Sequence, residues 1–520
     1  MIHPYSHYPA RAAGRWPDQT AVIDGGRSCT YRELDARASR IARALVRLGL
    51  LPGERVAVVQ QNRTEYVEAV IAIARAGGAL VPMLGALTEQ EHVFMARDAG
   101  AKFVLALGPE EAPRALSAGA AIGATVLCFG AAPGATDLAA LAENETEEAL
   151  EINREPSALA QILYTSGTTG LPKGVTHSYA SVAAAMGAWV TTFDVGPEDR
   201  LLGQLALSHF GGRAMDTSWV AGATLVILSG PDPKIMLGAI VEKRITVLLV
   251  IPTLLRMLLD HPDAENADLS SLRVVLYAAA PAAPSLVRSA LARLGPALYT
   301  GFGQTEAYGL NTLLSPREHE EALAAGGARL TSVGRETRAF AQVRIQSEDG
   351  ATLPPGEVGE ICVSAPWTTP GFWNRPDLDE RRLRNGWLRT GDLGRSDESG
   401  YIYLADRTED KIISGGFNVY PAEVEGVLAE HPAVAECAVF AVPDAKWGEA
   451  IRAAVTLRPD TTVTPEELIA FSKEHLARFK VPKVIEVLPS LPKTAVGKIL
   501  RRALREPYWK DRDRDIHGAE

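Results

Sequence analysis

The chain reads as an α/β protein. A large N-terminal domain of parallel and mixed sheets covered by helices, ending in a β-rich subdomain, precedes a small C-terminal α+β domain. Three observations carry this. At 520 residues the chain exceeds what one hydrophobic core ordinarily organises, so at least two domains are expected. Through most of the first 300 residues, helical and strand periodicities alternate, as parallel strands covered by helices require. After residue 340 the texture becomes short β-like segments, and a second alternating block follows Pro421.

The elements follow in order. TYRELDARASRIARALVRLGL (30–50) opens with a Thr-x-x-Glu capping signal at Thr30 and Glu33, and Leu34, Ala38, Ile41, Leu45 and Leu48 recur at helical spacing. RVAVVQQN (55–62) is a buried strand, and TEYVEAVIAIARAGG (64–78) a helix closed by glycine. ALVPM and KFVLAL (102–107) are strands again. The most apolar run, ITVLLVIPTLLRMLL (245–259), is broken by Pro252 and Arg256 and reads as a buried strand leading into a helix. AQVRIQ, GEICVS, YIYLAD and KIISGG are the short β segments. Beyond them come a helix at 421–430, the strands AECAVFAVP and IRAAVTL, a helix at 464–477 and a basic tail. The charged DRTEDK stretch suits a linker, which places the boundary near Asp410: domains 1–409 and 410–520. No repeat of fixed period is present.

Composition excludes several classes. Hydrophobic residues at 47% and charged residues at 22% are usual for a soluble globular protein, and a net charge of −10 argues against a nucleic-acid partner. Cys29, Cys128, Cys362 and Cys437 lie far apart without metal spacing, as reduced cysteines of a cytoplasmic protein do. The N-terminal stretch lacks the apolar core of a signal peptide, and no run is long enough to span a membrane. Oligomeric state leaves no signature; a homodimer is compatible.

YTSGTTGLPKGV (164–175) has the chemistry of a phosphate loop. Glycines admit backbone N–H groups close to phosphate oxygens, hydroxyls add donors, and Lys173 adds charge. It departs from the G-x-x-x-x-G-K-[ST] pattern, because Pro172 precedes the lysine and no Ser or Thr follows it directly. Five further stretches follow in order: SHFGG (208–212), LYAAAPAAP (276–284), TGFGQTEA (300–307), GWLRTGDLG (386–394) joined by DRTEDKIISGGFNVYPAEVE (406–425), and LPKTAVGKILRRALR (491–505).

Together these six stretches resemble the signatures of the adenylate-forming superfamily, in its acyl-CoA synthetase branch, from Tyr164 to about Arg501. The resemblance implies that Thr165, Ser166, Gly167, Thr168, Thr169, Gly170 and Lys173 hold the β- and γ-phosphates of ATP. His209 corresponds to a gate beside the acyl pocket, more a gate than a base. Ala279, Ala280 and Pro281, after Ala278, stand where the family shows Gly-Gly-Ala-Pro or Gly-Ala-Ala-Pro along the adenine. Methyls there narrow the space or need another backbone angle. Gly301, Phe302, Gly303, Gln304 and Thr305 continue the nucleotide site, with Phe302 stacking on adenine in place of Tyr and Thr305 bonding the α-phosphate. Glu306, with Thr165, is implied as a Mg²⁺ contact. Asp392 and Arg407 are implied at the ribose, Asp410 at a hinge that makes the small domain mobile, and Gly415 and Gly416 beside the pantetheine arm of coenzyme A. Lys498 corresponds to the catalytic lysine that bridges the carboxylate and the α-phosphate.

The implied activity is formation of an acyl-AMP from a carboxylic acid and ATP, then transfer to the CoA thiol. The register puts His209, Phe210, Gly211, Arg213, Met215, Ala278 and Gly301 at the acyl pocket, an apolar lining with one bulky ring that suits a fatty or aryl acid. Arg213 could meet a second carboxylate or polar tail, though such an arginine more often pairs with an acid. An enzyme loading an amino acid onto a carrier protein needs an Asp directly after the gate. Here that residue is Phe210, and Asp216 lies too far along. An acyl-AMP ligase with another acceptor is the remaining enzymatic alternative. A silent nucleotide sensor is opposed by the presence of Lys498, Glu306 and Asp392.

Overall fold

The computed structural model describes residues 7–150, 152, 154–165, 172–280, 282–337, 341–407, 410, 412–414, 417–444, 447–494, 497 and 499–509. Two seven-stranded sheets form the large domain. One runs in the order Leu298–Thr300, Val274–Tyr277, Val247–Val250, Arg200–Gly203, Thr224–Ile227, Thr20–Asp24, Arg27–Thr30, parallel except for the last pair. The other runs Thr136–Asp137, Thr125–Cys128, Ala101–Ala106, Arg55–Gln60, Ala79–Leu84, Leu159–Thr165, Lys173–Ser178, again parallel except for the last pair.

Side-chain alternation explains why these strands read as unbroken apolar runs. Val56 and Val58 face one core while Ala57 and Val59 face another. Val247 and Leu249 face the first of these, and Leu248 and Val250 a third. Parallel strands buried on both faces show little hydrophobic alternation. The shared core lies between the two sheets and takes in the helices Tyr31–Arg47, Thr64–Arg75, Tyr179–Phe193 and Gly212–Ala221.

The local expectations hold where chemistry is local. Thr30 caps its helix as a full capping box with Glu33. The helix Thr64–Arg75 stops before Gly77, whose φ is +73°. The run 245–259 divides into Val247–Val250 and the helix Pro252–Leu259, with Pro252 in its first turn. The expected helix 464–477 is shorter, Pro465–His475.

A five-stranded antiparallel sheet, including Gly359–Ser364, Trp387–Ser396 and Ile402–Arg407, makes the β-rich subdomain. The smaller C-terminal unit is another five-stranded sheet, with the helices Pro421–Glu430 and Pro465–His475 packed in one core and Leu504 and Tyr508 of the helix Arg501–Trp509 in a second. No helix among the described residues is long and apolar enough to cross a membrane.

Candidate functional site

Several of the motif stretches lie at the C-terminal ends of parallel strands, where open α/β sheets bind ligands. Ala278 follows Val274–Tyr277, Gly301 follows Leu298–Thr300, and the gate turn follows Arg200–Gly203. The gate turn is fastened from the other sheet. Asn62 Nδ2 donates to the carbonyls of Gly203, Leu205 and Leu228, and its Oδ1 accepts from Leu207 N. Ser208 Oγ donates to Gln60 Oε1 at 3.1 Å and lies 2.8 Å from His209 Nδ1, so the gate ring is tied to both sheets.

The phosphate motif joins two strands, not a strand and a helix. Thr165 and Lys173 stand opposite each other in the antiparallel ladder of Leu159–Thr165 and Lys173–Ser178. Gly174 is required there, because a Cβ would come within 2.8 Å of Ile162. Lys173 Nζ lies 2.7 Å from Glu306 Oε1 and 5.2 Å from the Phe372 ring centre. Glu306 is only 5% exposed. Burial alone would raise its carboxyl pKa, but Lys173, with help from Arg382, holds it below the ordinary value. Thr165 Oγ1 and Gln304 Nε2 are buried without a hydrogen-bond partner among the described residues.

Glu306 sits on a loop that doubles back on itself. Phe302 N donates to Thr312 Oγ1, and Asn311 N to Phe302 O, both at 2.9 Å. The return demands glycine: a Cβ on Gly301 would meet Thr312 O at 2.2 Å, and one on Gly303 would meet Gly309 O at 2.9 Å. Thr305 carbonyl accepts from His177 Nε2 at 2.8 Å. Burial pushes the His177 pKa down to about 3, so the ring is neutral and its Nε2–H is the donor. His177 also packs on Tyr308, with ring centres 4.6 Å apart. Phe302 is 6% exposed and packs into the subdomain core with Ile345, Ile361 and Val363.

Asp392 and Arg407 are register partners across adjacent antiparallel strands, which puts the two implied ribose contacts side by side along the backbone. Asp392 N donates to Thr390 Oγ1 at 3.1 Å. Arg382, which the motifs did not single out, Nη2 donating to Thr390 O, presses on Gly391, where a Cβ would come within 2.5 Å of its Nη1. Its charge also helps to lower the Glu306 pKa, so it links the strand Trp387–Ser396 with Glu306. Its only sequence signal is its place in the Arg381–Arg382 pair before the Asn-Gly turn.

At the adenine stretch the two sequence alternatives resolve. The backbone keeps the left-handed conformation, with Ala279 at φ +71°, and Ala carries the strain that glycine would avoid. Ala278 is buried and Ala280 exposed.

Around Phe210 and Arg213 apolar and polar side chains lie together. Phe210 packs edge-on to Trp189, and Met215 and Ala278 are buried as apolar groups. Gly211 and Gly212 allow the tight entry to the helix Gly212–Ala221, since a Cβ on either would strike a backbone carbonyl within 2.4 Å. Beyond them a small cavity is bounded by Gln161, Ser208, Arg213, Asp216 and Tyr308 as well as apolar side chains. Arg213 is not a free cation. It pairs with Asp216 at 2.8 Å and stacks 3.5 Å above the Tyr308 ring centre. Asp216, the acid that lies too far along for an amine contact, is committed to that pair and accepts from the Tyr308 hydroxyl.

Asp410 lies between Ile402–Arg407 and Ile412–Ser414, and its carboxylate pairs with Arg501 and Arg505 of the last helix, at 3.4 and 3.8 Å. Gly497 lies against Ile251, the residue that follows Val247–Val250. Ser166, Gly167, Thr168, Thr169, Gly170, Pro281, Gly415, Gly416 and Lys498 lie outside the described residues, as does the side chain of Arg407.

Among the described residues no group of three or more His, Cys, Asp or Glu could hold a metal ion by itself. The donor set nevertheless suits Mg²⁺ held jointly with a nucleotide. Glu306 offers a buried carboxylate and Thr165 a buried hydroxyl without a partner, and Mg²⁺ commonly takes one or two protein oxygens and fills its shell with phosphates and water.

Known proteins agree with this geometry. The family described as AMP-binding enzyme matches residues 9–373, and the AMP-binding enzyme C-terminal domain matches residues 423–498. The chain is 36% identical to the medium/long-chain-fatty-acid–CoA ligase FadD8 of Mycobacterium tuberculosis, over 98% of this chain and 91% of that protein. It is 36% identical to a feruloyl-CoA synthase of an Amycolatopsis species, over 96% and 98% of the two chains. The amide bond synthetase McbA of Marinactinospora thermotolerans superposes with a TM-score of 0.89 at 33% identity, covering 97% of this chain and all of the other. The chain belongs to the AMP-binding enzyme family.

Proposed function

We propose that the protein is an ATP-dependent acid–CoA ligase acting on a hydrophobic acid, fatty or aryl. The observation that carries this is the buried Lys173–Glu306 pair, with Gly301 and the His209 turn placed just beyond parallel strands.

In the first step a carboxylate oxygen attacks the α-phosphorus of ATP, the bond to the β-phosphate breaks, and pyrophosphate leaves. Lys173 meets the departing phosphates, Thr305 meets the α-phosphate, and Asp392 with Arg407 holds the ribose. Glu306 and Thr165 would hold Mg²⁺, which would supply neutralisation of phosphate charge. Lys498 stabilises the charge that builds as the carboxylate attacks. The approach of Gly497 to Ile251, where an added Cβ would lie 3.5 Å from its Cδ1, supports a C-terminal segment arranged for this step.

In the second step the CoA sulfur attacks the acyl carbon, the acyl–phosphate oxygen bond breaks, and AMP leaves with its electron pair. The small domain turns about Asp410 to replace Lys498 by the Gly415–Gly416 strand. The four free cysteines support a reducing, cytoplasmic setting.

The test is a panel of carboxylic acids with ATP, Mg²⁺ and CoA, read by pyrophosphate release and thioester mass. Acid-dependent pyrophosphate and a CoA thioester are expected. Pyrophosphate without a CoA thioester would move the acceptor to a carrier protein or an amine. No acid-dependent pyrophosphate would refute acid activation.

A further inference from the structure

A chain of side-chain hydrogen bonds runs into the gate turn, and its directions are fixed from the backbone outward. Asn62 is the anchor. One side of its amide faces the carbonyl oxygens of Gly203, Leu205 and Leu228, and the other faces Leu207 N. Carbonyls only accept and a backbone N–H only donates, so Nδ2 must point to the first group and Oδ1 to the second. Gln60 Nε2 comes next, 3.0 Å from Asn62 Oδ1. Only the amide nitrogen of Gln60 can face that acceptor, which turns Gln60 Oε1 towards Ser208 Oγ, 3.1 Å away. The single hydrogen of the Ser208 hydroxyl is therefore spent on Gln60.

The last link is His209. Its Nδ1 lies 2.8 Å from Ser208 Oγ, which has only lone pairs left to offer. Nδ1 must then carry a hydrogen, and in the neutral ring Nε2 is the bare nitrogen. Gln60 is 2% exposed and Ser208 5%, so solvent does not offer these groups an easy alternative. The chain also spans two sheets, since Gln60 closes the strand Arg55–Gln60 and Ser208 follows Arg200–Gly203. A buried polar chain with every link satisfied specifies one arrangement.

We propose that Gln60, Asn62 and Ser208 are positioning residues that lock the tautomer of His209, so that Nε2 meets its neighbours as an acceptor. The place of this lock in the reaction rests on the acid–CoA ligase reading, in which His209 is the gate beside the acyl pocket. Ionised carboxylate and phosphate oxygens are acceptors and gain no hydrogen bond from a bare nitrogen. The CoA arm brings donors, its thiol S–H and its amide N–H groups. The lock therefore serves thioester formation more than acid activation.

Nitrogen-15 NMR of the histidine-labelled protein reads the tautomer without turnover, and a His209→Asn sample identifies its signals among the ten histidines. As pH rises, Nε2 is expected to lose its proton and Nδ1 to keep its own. Gln60→Met releases the Ser208 hydrogen to His209, and Ser208→Ala removes the link, so both should shift the neutral ring towards the Nε2-protonated form. Gln60→Glu keeps an acceptor for Ser208 and should keep the wild-type tautomer. In Gln60→Met, thioester formation from supplied acyl-AMP should fall by roughly 3- to 10-fold more than acid-dependent pyrophosphate release, the worth of one hydrogen bond. A wild-type ring that loses the Nδ1 proton, a tautomer unchanged in Gln60→Met or Ser208→Ala, its loss in Gln60→Glu, or equal losses in the two half-reactions would overturn the proposal. A Gln60-dependent tautomer in a protein that releases no pyrophosphate with any acid would overturn acid activation and leave the lock standing. Neither the lock nor acid-dependent pyrophosphate would overturn both.

Discussion

Lys173 Nζ lies 2.7 Å from Glu306 Oε1, so the lysine of the phosphate hairpin neutralises the carboxylate implied as the metal contact. On the proposed reading, Lys173 would turn to phosphate when a nucleotide binds, freeing Glu306 to hold Mg²⁺. In Lys173→Ala the buried carboxylate keeps Arg382 as its cationic neighbour among the described residues, and the cost is about 1–3 kcal/mol of stability at neutral pH. Wild-type Glu306 has a lowered folded pKa, so its contribution is present above the unfolded value of 4.5 and lost as pH falls through the folded one. In Lys173→Ala burial dominates and the sign reverses. The melting-temperature gap between variant and wild type should therefore shrink on acidification towards pH 4.5. A gap that widens would show that Lys173 does not neutralise Glu306.

Removing the charge without the shape separates metal binding from this electrostatic balance. Glu306→Gln removes the buried anion but also the partner of Lys173, so a moderate loss of stability is expected at neutral pH, while adenylation should fall by roughly 100-fold or more. Pyrophosphate release titrated with Mg²⁺ checks it. An unchanged Mg²⁺ requirement would remove Glu306 from the metal site.

His177 gives a second pH dependence. Its pKa falls from 6.5 unfolded to about 3 folded, with burial the first cause. The unfolded chain therefore binds the extra proton first, and stability is lost as pH falls from about 6.5 towards 3, by at most about 1.4 kcal/mol per pH unit. His177→Gln should flatten that part of the stability profile measured by denaturant unfolding. An equally steep slope would mean that other groups set it.

How much was legible follows the range of the forces involved. Thr30 and Glu33, three residues apart, announced a helix start that the structure keeps. The strand-then-helix division of 245–259 was legible because Pro252 cannot sit deep inside a helix. The positions around Gly301 and Glu306 came from motif register. Arg213 shows the limit. Its neighbour Asp216 is one helical turn away and could be weighed, but Tyr308 and Gln161 come from distant segments. Only the assembled core shows that an arginine on an apolar helix is neutralised by Asp216 and covered by Tyr308. Arg382 was missed for the same reason, since Gly391 and Glu306 meet it only in three dimensions.

Ala279 at φ +71° stores strain where glycine would store none. Ala279→Gly should relieve about 1 kcal/mol of it, partly offset by the greater freedom of glycine in the unfolded chain. A net gain of a few tenths to 1 kcal/mol is expected in the urea midpoint. A loss would mean that the methyl makes contacts worth more than the strain.

The last prediction concerns the order of the two half-reactions. Asp410 is tied to Arg501 and Arg505 in the helix that follows the implied catalytic lysine, so a turn about Asp410 would carry that helix with it. Asp410→Pro fixes φ at that position and should slow thioester formation from supplied acyl-AMP, while acid-dependent pyrophosphate release survives. Lys498→Ala should do the reverse, abolishing pyrophosphate release by about 1000-fold and sparing thioester formation. Lys173→Ala should fall between, with adenylation lowered by roughly 10- to 100-fold because its charge meets the leaving group and not the attacking carboxylate. Arg505→Ala weakens the ion pair without restricting the backbone, so it separates loss of a contact from loss of a rotation and should leave both half-reactions within about threefold. An Asp410→Pro enzyme with a normal thioesterification rate would refute the hinge. A Lys173→Ala enzyme as inactive in adenylation as Lys498→Ala would invert the roles of the two lysines.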